Sequence, residues 1–136
     1  MTGERAFVDT NILIYALSGD AAKAERVESL FATGGTISVQ VLNEMANVMR
    51  RKLAMRWEEV LDVLVTIRNL FNTIPNTLAI HDKGLELARV HSLSVYDAMI
   101  VAAALDADCT ILWSENMQHR FRVGSLEIRN PFLSPG

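Results

Sequence analysis

The stretch from Val95 to Ala107, VYDAMIVAAALDA, is apolar on every face of a helix, the mark of a central helix buried on all sides. The rest of the chain offers the partners such a helix needs. Ala6 to Val8, the TISV run after Gly34-Gly35, and CTILWS from Cys109 read as short buried strands. TIPN contains Pro75, so a strand there is short or at an edge, and SLEIRNPF can hold a last strand. Between these runs the apolar residues recur at helical spacing. One helix starts at Asn11, capped by Asp9 or Thr10, and one follows Asp20 with Ala24, Val27, Leu30 and Phe31 on its apolar face. Ser38 caps a third that runs to about Lys52. Trp57, Val60, Leu61, Leu64, Ile67 and Phe71 mark a fourth, and a fifth spans Ile80 to His91, tolerating Gly84. Strands that alternate with helices predict an α/β sandwich: a central parallel sheet with both faces covered.

The 136 residues suit one domain, expected over residues 1–133 with a tail at 134–136. Half the residues are hydrophobic and the mean hydropathy is +0.19. That points to a dense core or to apolar helix surface that a partner covers. A net charge of −3 excludes binding of nucleic acid by bulk charge alone. It leaves room for a nuclease whose negative charge is concentrated at a metal site. The single Cys109 cannot form an internal disulfide, and no apolar run approaches the roughly 20 residues of a membrane span. The N-terminal MTGERAF has no hydrophobic signal region. A cytoplasmic protein is expected, without a membrane partner.

Acidic residues recur at the points where this fold would converge. Asp9 ends the first strand, Glu44 lies on the helix after the second, and Asp97 opens the buried helix. The polar group Ser114, Glu115 and Asn116 follows the CTILW strand. Two carboxylates about 4 Å apart repel by roughly 4 kcal/mol at an effective dielectric near 20. A hard divalent cation such as Mg²⁺ or Mn²⁺ relieves that repulsion and prefers oxygen ligands. Singly, each residue has a plainer reading. Asp9 can be a helix N-cap, and Glu44, at the margin of its helix's apolar arc, can reach into solvent. Asp97 completes an S-x-x-D capping box with Ser94, and Ser114 and Asn116 suit a turn. The recurrence at successive strand ends favours a shared site.

Arg50, Arg51, Lys52 and Arg56 form a basic cluster that either complements a helix C-terminus or positions phosphates beside the acids. Arg120 and Arg122 are similarly placed candidates. His81, His91 and His119 lack metal-ligand spacing, and the methionines suit packing. There is no G-x-S-x-G elbow, no phosphate-cradling glycine loop and no dinucleotide fingerprint. Asp9 is followed by Thr10-Asn11 rather than a second Asp, which disfavours an aspartyl-phosphate phosphatase.

FVDTNILIYAL, ISVQVLNEMANVM and LSVYDAMIVAAALDADCTILWSENMQH, with their spacing, resemble the PIN-domain family, and most of all the VapC-type toxins of bacterial toxin–antitoxin modules. The likeness spans nearly the whole chain. It implies a three-layer α/β/α sandwich and a Mg²⁺- or Mn²⁺-dependent endoribonuclease that acts as a homodimer restrained by a cognate antitoxin. On that resemblance Asp9, Glu44 and Asp97 match the acidic metal-site positions. Ser114 matches a small supporting hydroxyl, with Thr10 and Glu115 as further supporting residues. Asn116 stands where a fourth acid, usually Asp, is expected. An amide oxygen can accept a hydrogen bond or touch a metal but carries no charge. Arg120 stands where the family often has Gly.

The expected chemistry is hydrolysis of an RNA phosphodiester by activated water, with Asp9 and Asp97 on the metal and Glu44 orienting or deprotonating the water. The products would carry 5′-phosphate and 3′-hydroxyl ends. The alternative, motivated by Asn116, is a PIN-like binding or scaffold domain with impaired catalysis. A receiver-type signalling domain is a more distant rival, because LWSEN lacks the Lys it would need.

Overall fold

A computed structural model describes residues 5–32 and 34–133 of the chain, and the expected tail at 134–136 lies outside them. Six strands, β1 (Ala6–Val8), β2 (Thr36–Ser38), β3 (Asn72–Ile74), β4 (Ile111–Trp113), β5 (Arg122–Val123) and β6 (Leu126–Arg129), form one sheet. The helices are α1 (Thr10–Ile14), extended by a 3₁₀ turn at Tyr15–Leu17, then α2 (Ala21–Phe31), α3 (Val39–Arg51), α4 (Trp57–Leu70), α5 (Leu78–His91) and α6 (Val95–Asp106). They cover both sides of the sheet.

The strand order is β3-β2-β1-β4-β6-β5. All neighbours are parallel except β5 and β6. The chain lays β2 and β3 on one side of β1, then crosses to place β4 on the other. Loops leaving β1 and β2 therefore diverge from those leaving β4. In open α/β sheets a crevice opens at the carboxyl ends of the strands at such a switch point. Val8 is in register with Trp113, so the next residues, Asp9 and Ser114, emerge side by side at that crevice.

Covered on both faces, the strands need continuous rather than alternating apolarity. Phe7, Ile37, Leu112 and Ile128 are fully buried. Residues Ala98 to Ala104 of α6 are buried without a break, as its all-round apolarity predicts; exposure is confined to its two ends, at Val95 and Tyr96 and at Asp106. Small residues let α6 approach its neighbours closely. Gly84 does the same for α5, since a Cβ there would sit 2.5 Å from Met99 Sδ.

The helix starts follow their caps. Asp9, Asp20, Ser38 and Ser94 each accept a backbone N–H through the side chain, as expected from sequence. Thr77 caps α5 by accepting the Ile80 N–H at 3.1 Å, so that helix begins at Leu78 rather than Ile80. Phe71, expected within α4, ends it instead in an extended conformation.

The parallel sheet carries one addition that the sequence pattern did not announce. Strand β5 pairs antiparallel with β6, with Gly124 at φ +59° in the connecting turn. Two residues are too few to show a strand period. A Gly at positive φ in a two-residue connection is the usual chemistry of such hairpins.

Candidate active site

Asp9 is 4% exposed and is fixed on every accessible side. Its Oδ1 accepts the Thr10 N–H at 2.7 Å, and its Oδ2 accepts the Ser114 hydroxyl at 2.8 Å and the Asn11 amide at 3.2 Å. Its own N–H donates to the Trp113 carbonyl at 3.0 Å. Asp9 thus caps α1 and also presents a held carboxylate at the crevice; the plain and functional readings coincide.

Glu44 does not reach into solvent. It is half-buried, its Oε1 accepts the Thr10 hydroxyl at 2.6 Å, and its Oε2 accepts the Gln40 amide at 3.2 Å. Gln40 also donates to the Tyr96 carbonyl at 3.3 Å and so ties Glu44 to the start of α6. Asp97 sits there. Its N–H donates to Ser94 Oγ at 3.1 Å, so Ser94 supplies the cap, and among the described residues the Asp97 carboxylate has no hydrogen-bond partner.

These side chains line one cleft of about 590 Å³, together with Thr10, Asn116, Tyr15 and Lys52. Burial pushes the Asp9 carboxyl up to about 6; hydrogen bonds from Ser114 and Thr10 pull it back, and the charges of Glu44 and Asp97 push it further up. Asp9 therefore feels both other acids, and their two charges add to burial in raising the cost of its ionisation.

The polar group after β4 divides. Ser114 is fully buried against Asp9. Asn116 is exposed at the rim of the cleft, its N–H donating to Ser114 Oγ at 3.3 Å. Glu115 lines the same cleft but is engaged by other residues. It accepts the Tyr15 hydroxyl at 2.6 Å and pairs with Lys23 at 2.9 Å, and these contacts, Tyr15 first, hold its carboxyl below the usual range. Glu115 thus does not take the place of the acid that Asn116 lacks.

The uncharged oxygens of Thr10 and Asn116 and the carboxylates that line the cleft suit a hard cation. Among the described residues no three acidic, histidine or cysteine side chains close around a single point. The donors fit an ion held by one or two carboxylates with water completing its shell, the usual habit of Mg²⁺. A cage of three protein acids does not fit. Asp97 is the carboxylate without a hydrogen bond among the described residues, while Asp9 and Glu44 each keep lone pairs beside the hydrogen bonds that hold them.

The basic candidates separate. Lys52 lines the acidic cleft, and Arg50 and Arg51 border an adjoining hollow. Arg56 is drawn to Glu58 and Glu59. Arg120 and Arg122 do not reach the cleft: Arg122 pairs with Glu127, and Arg120 lines a separate hollow with Arg26 and Trp113. His119 accepts the Asn130 N–H and His91 packs edge-on against Phe121, so neither serves the site. Sequence reasoning missed Asn11, Tyr15, Lys23, Gln40 and Asn47. Asn11 and Gln40 were accessible in principle, as neighbours of Asp9 and Glu44 at helical spacing; Lys23 reaches Glu115 across 92 positions and leaves no local trace.

The profile of the PIN domain matches residues 6–123. The chain belongs to the PIN domain family. Solved PIN-like structures share the architecture. A toxin–antitoxin complex from Klebsiella pneumoniae superposes with a TM-score of 0.73 at 20% identity, covering 93% of this chain and 98% of that one. VapC20 of Mycobacterium tuberculosis, a toxin described as cleaving the sarcin–ricin loop, gives 0.68 at 18% identity over 82% and 89%. VapBC2 of Rickettsia felis, bound to a promoter DNA fragment, gives 0.67 at 20% identity over 92% and 97%. At such identities the likeness establishes the PIN fold. No curated protein sequence matches the chain.

Proposed function

We propose that this PIN domain is a divalent-metal-dependent endoribonuclease and the toxin of a toxin–antitoxin pair. The observation that carries the reading is the shared cleft of Asp9, Glu44 and Asp97 at the sheet's switch point. The relatives' roles as toxins and in toxin–antitoxin complexes support it.

Asp9 and Asp97 would hold a Mg²⁺ or Mn²⁺ ion. When bound, such an ion supplies positive charge for the phosphate oxygens and makes a nearby water more acidic. The chain's own residues do the rest. Ser114, Asn11 and the Thr10 N–H fix the Asp9 carboxylate against rotation. Thr10 and Gln40 hold Glu44 in the cleft, where it accepts the proton of the attacking water. Water then adds to phosphorus, the bond from phosphorus to the ribose 3′-oxygen breaks, and that oxygen takes a proton from solvent, giving 5′-phosphate and 3′-hydroxyl ends. Asn116 at the rim can donate an amide hydrogen bond to a phosphate oxygen, which a carboxylate there would repel. The exposed apolar side chains of α4 and α5, among them Leu61, Val65 and Leu78, suit coverage by a second copy and by an antitoxin. No described helix is long and apolar enough to cross a membrane.

The test is incubation of purified protein with structured RNAs, with and without Mn²⁺, against Asp97→Asn. Metal-dependent cleavage that Asp97→Asn abolishes is expected. Silence of the wild type across many RNAs would sink the nuclease reading and favour a binding module with a disabled site, the alternative to which Asn116 gives weight.

A further inference from the structure

The acidic cleft repels the backbone of any RNA that enters it, so attraction must come from elsewhere on a chain with net charge −3. Helix α3 offers one source. Gln40, Glu44, Asn47 and Arg51 follow one another at helical spacing and form a stripe along a single face. The stripe leads from the acids to the C-terminus of α3. Asn47 and Lys52 line the cleft itself, and Asn47 also lines the adjoining hollow with Arg50, Arg51 and Trp57. The two depressions therefore adjoin at Asn47.

The cations of this hollow are not equivalent. Arg50 is committed to local structure: it donates to the Met55 carbonyl at 2.8 Å and lies 4.7 Å from the centre of the Trp57 ring. Arg51 and Lys52 are exposed, and among the described residues neither side chain pairs with an acid. Helix-dipole compensation would be met by one cation in the last turn and does not account for Trp57, which stands 54% exposed beside them. A rigid aromatic ring backed by a guanidinium, next to free cations, is how single-stranded nucleic acid is commonly held.

We propose that the α3 face from Asn47 to Lys52, with Trp57, is a docking track for the single-stranded RNA that flanks the scissile phosphate. Arg51 and Lys52 pair with phosphates, and Trp57 stacks a base on its open face. Charge alone would suit an acidic polypeptide equally; the exposed indole favours RNA. The proposal rests on the ribonuclease reading, and it assigns the binding that precedes the chemistry.

The test uses the full chain carrying Asp97→Asn, without divalent metal, and the anisotropy of a short fluorescein-labelled oligoadenylate across a range of salt. Adding Arg51→Ala and Lys52→Ala should weaken binding at least tenfold and reduce the salt slope by roughly 1.4, at about 0.7 per phosphate contact on a single strand. Trp57→Leu should weaken binding about fivefold or more with the slope unchanged, and abolish the quenching of tryptophan emission by the oligonucleotide. Melting curves confirm folding, and the exposed Arg51 and Lys52 changes leave the core untouched if Trp57→Leu does not fold. Unchanged affinity and slope, while the wild type still cleaves RNA, would overturn the track and leave the nuclease standing. Track-dependent binding with no cleavage by the wild type supports the track and removes the nuclease. Poly-glutamate that binds as tightly as RNA, regardless of Trp57, would make the face a protein-docking surface and overturn the assignment.

Discussion

The Thr10 hydroxyl donates to Glu44 Oε1 at 2.6 Å, and this contact turns a residue at the margin of an amphipathic helix into the cleft. Because the Thr10 N–H also donates to Asp9 at 2.7 Å, one residue sets two of the three acids. Removing only the hydroxyl separates these roles. Thr10→Val keeps the shape and the N–H but leaves Glu44 with Gln40 alone. A hydrogen bond to a charged group contributes about 1.5–3 kcal/mol, so kcat should fall about tenfold to a hundredfold while the fold survives. Thr10→Ser should restore activity. Equal rates for Val and Ser would show that the hydroxyl does not position Glu44.

Asp9 links the site to pH. Its carboxyl stands at about 6 instead of 3.8, chiefly through burial, so the folded state binds this proton more tightly than the unfolded chain. The stability it contributes is complete below about pH 4 and is lost as pH rises through 6. The metal-free protein should lose about 3 kcal/mol across that window from this group. Asp9→Asn should flatten the profile and raise the melting temperature near pH 7.5 in EDTA. Wild-type protein should gain more stability from Mn²⁺ near pH 7.5 than near pH 5, where the ion competes with the proton. A melting temperature indifferent to millimolar Mn²⁺ at either pH would speak against a cation beside Asp9.

The sequence disclosed the frame of this site more readily than its wiring. Strand ends, caps and the all-apolar α6 place Asp9, Asp97 and Ser114 because burial and capping are local properties that residue order records. Glu44 defeated the helical wheel, which fixes the angle of a Cβ and not the direction of a long side chain. That direction depends on Thr10, which is 34 positions away. The Lys23–Glu115 pair and the confinement of Arg120 to a separate hollow are likewise products of tertiary packing. Strand β5 escaped because two residues carry no period.

Backbone strain offers a test of the fold independent of the site. Ser92 closes α5 with φ +56° and ψ +37°, the left-handed conformation that favours glycine at a helix end. It is exposed. Ser92→Gly should stabilise the protein by about 1 kcal/mol, read as a higher urea midpoint at constant m-value. A loss of stability would show that Ser92 makes a contact that outweighs its strain.

Asn116 bears directly on the proposed cation site. It lies at the rim with an uncharged side chain, and Glu115 beside it is neutralised by Lys23, so the charge must come from Asp9, Glu44 and Asp97. Asn116→Asp adds a carboxylate at that rim without disturbing the buried Ser114. The attraction between a dication and one more acid at such a distance amounts to a few kcal/mol at an effective dielectric near 20, part of which is offset by repulsion among the acids. Mn²⁺ should bind about tenfold more tightly, and the metal concentration needed for half-maximal cleavage should fall in step. Lys23→Met gives the complementary perturbation: it releases Glu115 from its cation and should also strengthen metal binding, by less, because Tyr15 still holds the carboxylate. If titration calorimetry finds Asn116→Asp no tighter for Mn²⁺ than wild type, the rim lies beyond the reach of the ion and Asn116 serves the RNA instead.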